Sequence, residues 1–405
     1  MPPSSEPTYA PHGRVAHVVR RYGVASQTFV ADTVADLDRL GWSGWVLARS
    51  VENRSLYPLP PEERILLGSR PPLSRRVAQR ALMRTSAERR AAWWDDAIAA
   101  ARPDLLHAHF GWAGVDALPA ARRAGLPLVV TFHGTDLTVY PHTTRGRREY
   151  AAMLAGLDQA IVVSRFLAGR LRAIGYDGPL EVVPTGVRLD RPPVRREPRA
   201  GGSTRLLFVG RQVPVKGLDV LLRALPRLCA EEPRLVLEVI GDGAESARNE
   251  ALARELGVRR HVSFRGAKPR EQVLAALERA ELLVVPSCAT ADGAAEGAGL
   301  VPKEAMAAGL PVVATDSGGL PETVPPEYRH ELVPEGDHEA LAARIAYVLE
   351  RRESWPRRAH AGREWVENQF DHARVARRTA AIYAALLDRA AERREPAPAL
   401  AAAGG

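Results

Sequence analysis

The chain is poor in cysteine, poor in aromatics and without any long apolar run, and each shortage closes off a class of protein. Only Cys229 and Cys288 occur in 405 residues, too few for a disulfide scaffold or a cysteine-built zinc site. No apolar stretch reaches the roughly 18 residues that a membrane-spanning helix needs. Aromatics make up 6% and are scattered, so no stacking platform for nucleic-acid bases stands out. The first residues, MPPSSEPTYAPHGR, lack the basic and apolar blocks of a secretory leader. A cytoplasmic protein is the expectation. Neither GxxxxGK[ST] nor HExxH occurs, so no Walker-type loop and no metal site is expected.

Acidic residues are also in deficit. Lys and Arg number 56 against 48 Asp and Glu, for a net charge of +8 and a pI near 9.8. That sign favours anionic partners such as nucleotides, phosphates or a membrane surface. Residues 64–90 hold eight arginines with Glu88 as the one internal acid, which reads as a solvated, substrate-facing surface or as a peripheral membrane contact.

What is present is a double series of short apolar runs alternating with helical patterns, the signature of βαβ units on parallel sheets. In the first half these are RVAHVV (14–19), GWVLA (44–48), LLHAHF (105–110), LVVTFH (128–133) and AIVVS (160–164). In the second they are RLLFVG (205–210), LVLEVIG (235–241), VSFRG (262–266), LLVVPS (282–287) and PVVAT (311–315). Length alone calls for two domains. The fold class is therefore α/β, with two Rossmann-like doubly wound domains facing a central cleft. The domains are 1–190 and 205–370, joined by the Pro- and Gly-rich linker RPPVRREPRAGGST at 191–204. A final helix spans 371–393, and the tail at 394–405 has too little to bury to be ordered.

Ligands of such sheets collect at the carboxyl ends of strands, and the unusual residues fall there. GRQVPVKG after the strand at 205–210 puts Arg211 and Lys216 on a turn into a helix, as a phosphate site or as solvated loop cations. The segment DGAAEGAG at 292–299 brings Gly293, Gly297 and Gly299 around Glu296, which has no helix to cap and suits sugar hydroxyls. Glu304 reads as the opening residue of the helix EAMAAG, either a cap or a carboxylate for a ribose diol. In the first half, HAHFG places His107 and His109 on one face of a strand. TFHGTD sets His133 at a strand end before Gly134 and Asp136, and RRYGVAS puts Gly23 in a short loop over the cleft.

Glu296 and Glu304, VGRQVPVKG (209–217), VIGDG (239–243), VVPTGV (182–187) and VSRFL (163–167) occur in the order found in one family. Together the chain resembles the retaining GT-B glycosyltransferases of family four. With SQTFV (26–30), HAHFG and TFHGTDLT it is most similar to the bacterial exopolysaccharide branch, colanic-acid type included. The resemblance spans roughly 14–385 and implies site roles. Arg211 and Lys216 would bind the donor diphosphate, Glu304 the nucleotide ribose and Glu296 the donor sugar. The backbone of Gly297, Ala298, Gly299 and Leu300 would cradle sugar and phosphate, and backbone near Arg265 to Lys268 would read the base. His133 would face the reacting sugar, Gly23 would lie over the diphosphate, and His109 and Asp136 would stand on the acceptor side. Ala298 departs from the aromatic that relatives often carry between the two glycines.

The implied activity is transfer of a hexose-type sugar from a nucleotide sugar, UDP favoured. The acceptor would be a hydroxyl of a glycan, a lipid-linked saccharide or a small natural product. No cofactor, no metal and no nucleic acid is expected, and localisation would be cytoplasmic, peripheral to the inner membrane face at most. A non-catalytic nucleotide-sugar or glycan binder and a glycoside phosphorylase are the alternatives.

Overall fold

The computed structural model describes residues 12–24, 27–52, 65–67, 86–194 and 203–393. Most of 64–90, the centre of the linker, Ser26 and the tail at 394–405 lie outside the described residues. Among the described residues, no helix is long and apolar enough to cross a membrane.

Two all-parallel sheets organise the chain. The first runs β3-β2-β1-β4-β5-β6-β7, with β1 Gly13–Tyr22, β2 Trp42–Val51, β3 Ile65–Leu67, β4 Leu105–His109, β5 Leu128–Phe132, β6 Gln159–Val162 and β7 Leu180–Val182. The second runs β10-β9-β8-β11-β12, with β8 Arg205–Val209, β9 Val236–Ile240, β10 Val262–Phe264, β11 Leu282–Val285 and β12 Val312–Ala314. Strands covered on both faces read as near-continuous apolar runs. Every residue of β4 and β5 is buried accordingly. All ten apolar runs form strands; β3 and β7, three residues each, are additional.

Strand order reverses between β1 and β4 and again between β8 and β11. In a doubly wound sheet that reversal opens a crevice at the carboxyl ends of the strands. Helices fill both faces. In Leu218–Glu231 the buried leucines 218, 221, 222, 225 and 228 fall at helical spacing and form one stripe against the second sheet.

The helix His372–Glu392 leaves the second domain and returns to the first. Its Val375, Tyr383 and Leu386 pack on Val15, Leu105, Val129 and Ile161 beneath the first sheet. The Tyr383 hydroxyl meets His107 Nδ1 at 2.5 Å, and His107 Nε2 meets Thr131 Oγ1 at 2.7 Å. His107 is thus a satisfied core histidine. Tyr383→Phe strands its Nδ1 in the interior, at a cost of about 1–3 kcal/mol. A lower urea midpoint than the parent is expected; an unchanged midpoint would show that the bond contributes nothing.

Candidate functional site

Arg211 and Lys216 leave β8 on the turn into the helix Leu218–Glu231. Gly217 makes the turn possible: its φ is 61°, and a Cβ there would strike the carbonyl oxygen of Pro286. From this turn the Lys216 ammonium pairs with Glu296 Oε2. Ser287 Oγ stands 3.5 Å from the same oxygen, and the Gly299 N–H donates to Oε1 at 3.4 Å. Burial pushes the Glu296 carboxyl up, but Lys216, Gly299 and Arg211 outweigh it and hold the group below the ordinary glutamate range. It stays ionised. Arg211 itself is exposed at the rim.

Glu304 is placed differently from the sequence reading. The helix is Leu300–Ala307 with Gly299 as its N-cap, so Glu304 lies in the second turn and caps nothing. Its carboxylate is nearly closed to solvent and pairs with Arg270 Nη2 at 3.2 Å. Burial raises its pKa, with Arg270 pulling down and Asp32 adding to the rise. Arg265, expected near a base, is exposed and pairs with Glu238 at 3.4 Å.

On the facing domain, His133 follows β5 directly. Its ring lies 4.6 Å from those of Phe29 and Phe110, and both ring nitrogens are shielded and without a partner among the described residues. Burial and the nearby His109 keep it neutral. Asp136 and His109 are corrections. Asp136 is wholly buried and accepts from the N–H groups of Gly111 (2.9 Å), His133 (3.1 Å) and Gly134 (2.7 Å). Burial carries its pKa up to about 6 against those amides. It shapes the loop that carries His133 and cannot touch an acceptor. His109 is 2% exposed beneath that loop, 3.2 Å from His17 Nδ1 through its Nε2. His17, His107 and His109 bring ring nitrogens within 4.8 Å of one another, close enough to hold a metal ion; both nitrogens of His107 are already engaged. Gly23 follows β1 with φ 75°, where a Cβ would strike the carbonyl oxygen of Glu52.

The two faces touch. Gly297 lies so close to the His133 carbonyl that no side chain fits, and Ser164 Oγ donates to the Gly297 carbonyl at 2.7 Å. Ala298 is buried in the core cluster of the first domain. Five residues that sequence reading missed complete the seam: Glu322, Arg270, Asp32, Arg188 and Lys303. Glu322 accepts from the N–H groups of Arg165 and Phe166, 2.8 Å each, at the start of the helix Arg165–Ala173. Arg270 bridges Glu304 to Asp32 of the first domain, 3.2 Å to each, and Arg188 joins Asp32 at 2.9 Å. Lys303, 1% exposed, donates to the Thr185 carbonyl at 3.2 Å and lies 4.4 Å over the Phe370 ring. A lysine inside the run LVPKEAMA was the one local signal available; the partners lie too far away in sequence to be read.

The chain matches the family described as Glycosyl transferases group 1 over residues 191–365, and Glycosyltransferase Family 4 over residues 26–191. It is 32% identical over 291 residues to an Escherichia coli K12 protein named a colanic acid biosynthesis glycosyltransferase, WcaL, covering 70% of this chain and 71% of the relative. With the Salmonella typhimurium protein of the same name it shares 32% over 246 residues, 60% of this chain, and spans less than two thirds of that relative at 61%. The chain belongs to the group 1 glycosyltransferases of family 4. Among solved structures, Thermosynechococcus elongatus sucrose-phosphate synthase superposes with TM-score 0.75 at 24% identity, covering 93% of this chain and 99% of that one. Anabaena HepE, solved with UDP and glucose, gives 0.73 at 18%, covering 92% and 100%. The architecture is GT-B.

Burial drives the Lys303 ammonium down to about 7, with Glu296 and Glu322 pulling the other way. Between pH 7 and the ordinary lysine range the unfolded chain then binds a proton that the folded chain does not, so stability rises with pH across that window. Lys303→Met removes this dependence. Its urea midpoint should exceed the parent's near pH 7, and the gap should shrink by pH 9. A gap equal at both pH values would mean that Lys303 titrates normally.

Proposed function

We propose that the chain is a retaining glycosyltransferase that moves a hexose-type sugar from a nucleoside diphosphate sugar, UDP favoured, to an acceptor hydroxyl. The observation that carries this is the meeting of Lys216, Arg211 and an ionised Glu296 with His133 where two strand-end crevices close on each other. The cations and the free amides at the start of Leu300–Ala307 suit a diphosphate. Glu296 accepts from donor-sugar hydroxyls, while Glu304, released from or shared with Arg270, takes the ribose diol. Once the seam opens to admit a donor, neutral His133 can both donate to and accept from a sugar hydroxyl.

On this reading the reaction needs no metal and no carboxylate nucleophile. Charge growing on the departing diphosphate is met by Lys216, Arg211 and backbone N–H groups fixed before the reaction begins. The acceptor hydroxyl attacks from the face that the phosphate leaves, and a phosphate oxygen takes its proton, which retains the anomeric configuration. The closed seam keeps water from the donor. The names of the relatives favour exopolysaccharide assembly; the location we infer is the cytoplasm or the inner membrane face, with contact through 64–90.

The test is incubation with UDP-, GDP-, ADP- and dTDP-sugars without acceptor or added metal, reading nucleotide release. Release from one donor, abolished in Glu296→Ala, is expected. Lys216→Ala should lower turnover at saturating donor roughly 10²–10³-fold; near-normal turnover would refute the leaving-group role. Glu304→Ala should raise the donor KM roughly tenfold or more, as loss of a charged hydrogen bond implies. Failure of all four donors to bind would overturn the reading.

A further inference from the structure

His109 and Asp136 are closed off, which leaves the acceptor without its expected partners. A cavity of about 660 Å³ lies beside them, between the two domains. The first domain lines it with Trp112, Thr135 and Tyr140, and the second with Arg211, Val215 and Ala294 among others. Its position ties it to the reacting centre. Thr135 follows Gly134, whose backbone faces that of Gly297 across the seam. Val215 precedes Lys216, and Ala294 stands just before Glu296 in the chain.

Several polar groups of the walls already have partners. Arg20 donates to the Trp112 carbonyl at 3.2 Å and is itself anchored by Asp116 at 2.8 Å. The Trp112 ring stacks on Phe110 at 5.1 Å and 9° and meets Tyr140 edge-on at 6.2 Å. The Tyr140 hydroxyl donates to Glu149 at 2.5 Å, so tyrosine offers the cavity its ring and not its oxygen. Thr143 Oγ1 caps a helix by accepting from Gly146 N–H at 2.9 Å and donates to the Tyr140 carbonyl at 2.8 Å. Thr290 and Asp292 bond to each other. An occupant therefore meets mainly ring faces and methyl groups, with the exposed Arg211, Asp292 and Thr135 also on the lining. A charged group set against the apolar wall, away from Arg211 and Asp292, loses hydration without a partner. A ring with an apolar face loses nothing and gains contact with Trp112.

We propose that this cavity is the acceptor subsite and that it takes an uncharged acceptor through the apolar face of a ring, with Trp112 as the platform. The inference rests on the glycosyl-transfer reading of the adjoining site. A saccharide ring and an aromatic aglycone share this chemistry, and the experiment separates them.

Calorimetric titration of the full chain uses 4-nitrophenyl β-D-glucopyranoside, 4-nitrophenyl β-D-glucuronide and 4-nitrophenol, each with and without saturating UDP. The neutral glucoside should bind, and more tightly than the glucuronide. Trp112→Ala should weaken it at least tenfold, Trp112→Phe should restore it to within about threefold, and the Kd for UDP should change less than twofold in both. 4-Nitrophenol binding as tightly as the glucoside identifies an aglycone as the source; glucoside alone identifies a sugar ring. The proposal is overturned if no neutral probe binds, if the glucuronide binds tenfold tighter, or if Trp112→Ala leaves the affinity unchanged. Absence of UDP binding with intact glucoside binding would sink the donor reading and leave the subsite standing.

Discussion

The pairing of Lys216 with Glu296 is the contact on which the site depends. It joins the turn after β8 to the glycine loop after β11, the two strands that flank the reversal of order in the second sheet. Two half-buried charges lose hydration when they meet, and such a pair seldom adds stability over an apolar replacement. A pair held there at that cost makes chemical sense when a ligand needs both ions. Glycines permit the geometry: Gly217 brings the cation's turn against Pro286, and Gly297 brings the carboxylate's loop against His133.

The same loop closes the cleft. Ser164 and Glu322 tie the two domains through backbone groups, while Asp32, Arg188, Arg270 and Glu304 form a chain of charges across the seam. Glu304 is the end of that chain. Arg270 holds one carboxylate on each side of the seam, Asp32 through Nη1 and Glu304 through Nη2. Lys303 and the returning helix His372–Glu392 anchor the hinge side.

Much of the fold was legible because parallel strands buried on both faces read as near-continuous apolar runs, and ten such runs stood out. The strands β3 and β7 escaped because three residues at a sheet edge carry no pattern. Glu304 was misplaced for a physical reason: Pro302 looks like a barrier to a helix, yet in a first turn it removes only an N–H that has no partner anyway. The loop glutamate and the two cations could be read from spacing and turn chemistry. Burial of Asp136 and His109 could not, since it depends on β4 and β5 becoming interior strands beneath a folded-over loop. The roles of Arg270 and Lys303 were hidden for a related reason, their partners being Asp32 and Thr185 in the other domain.

The central claim is that a nucleotide sugar bridges the segments around Lys216, Glu296 and Arg270. Hydrogen exchange read by mass spectrometry, with and without UDP-glucose, tests it most directly. The account predicts slowed exchange in 209–217, 265–270 and 296–304, together with 133–137 across the seam. Unchanged exchange in those segments, with protection elsewhere, would contradict it.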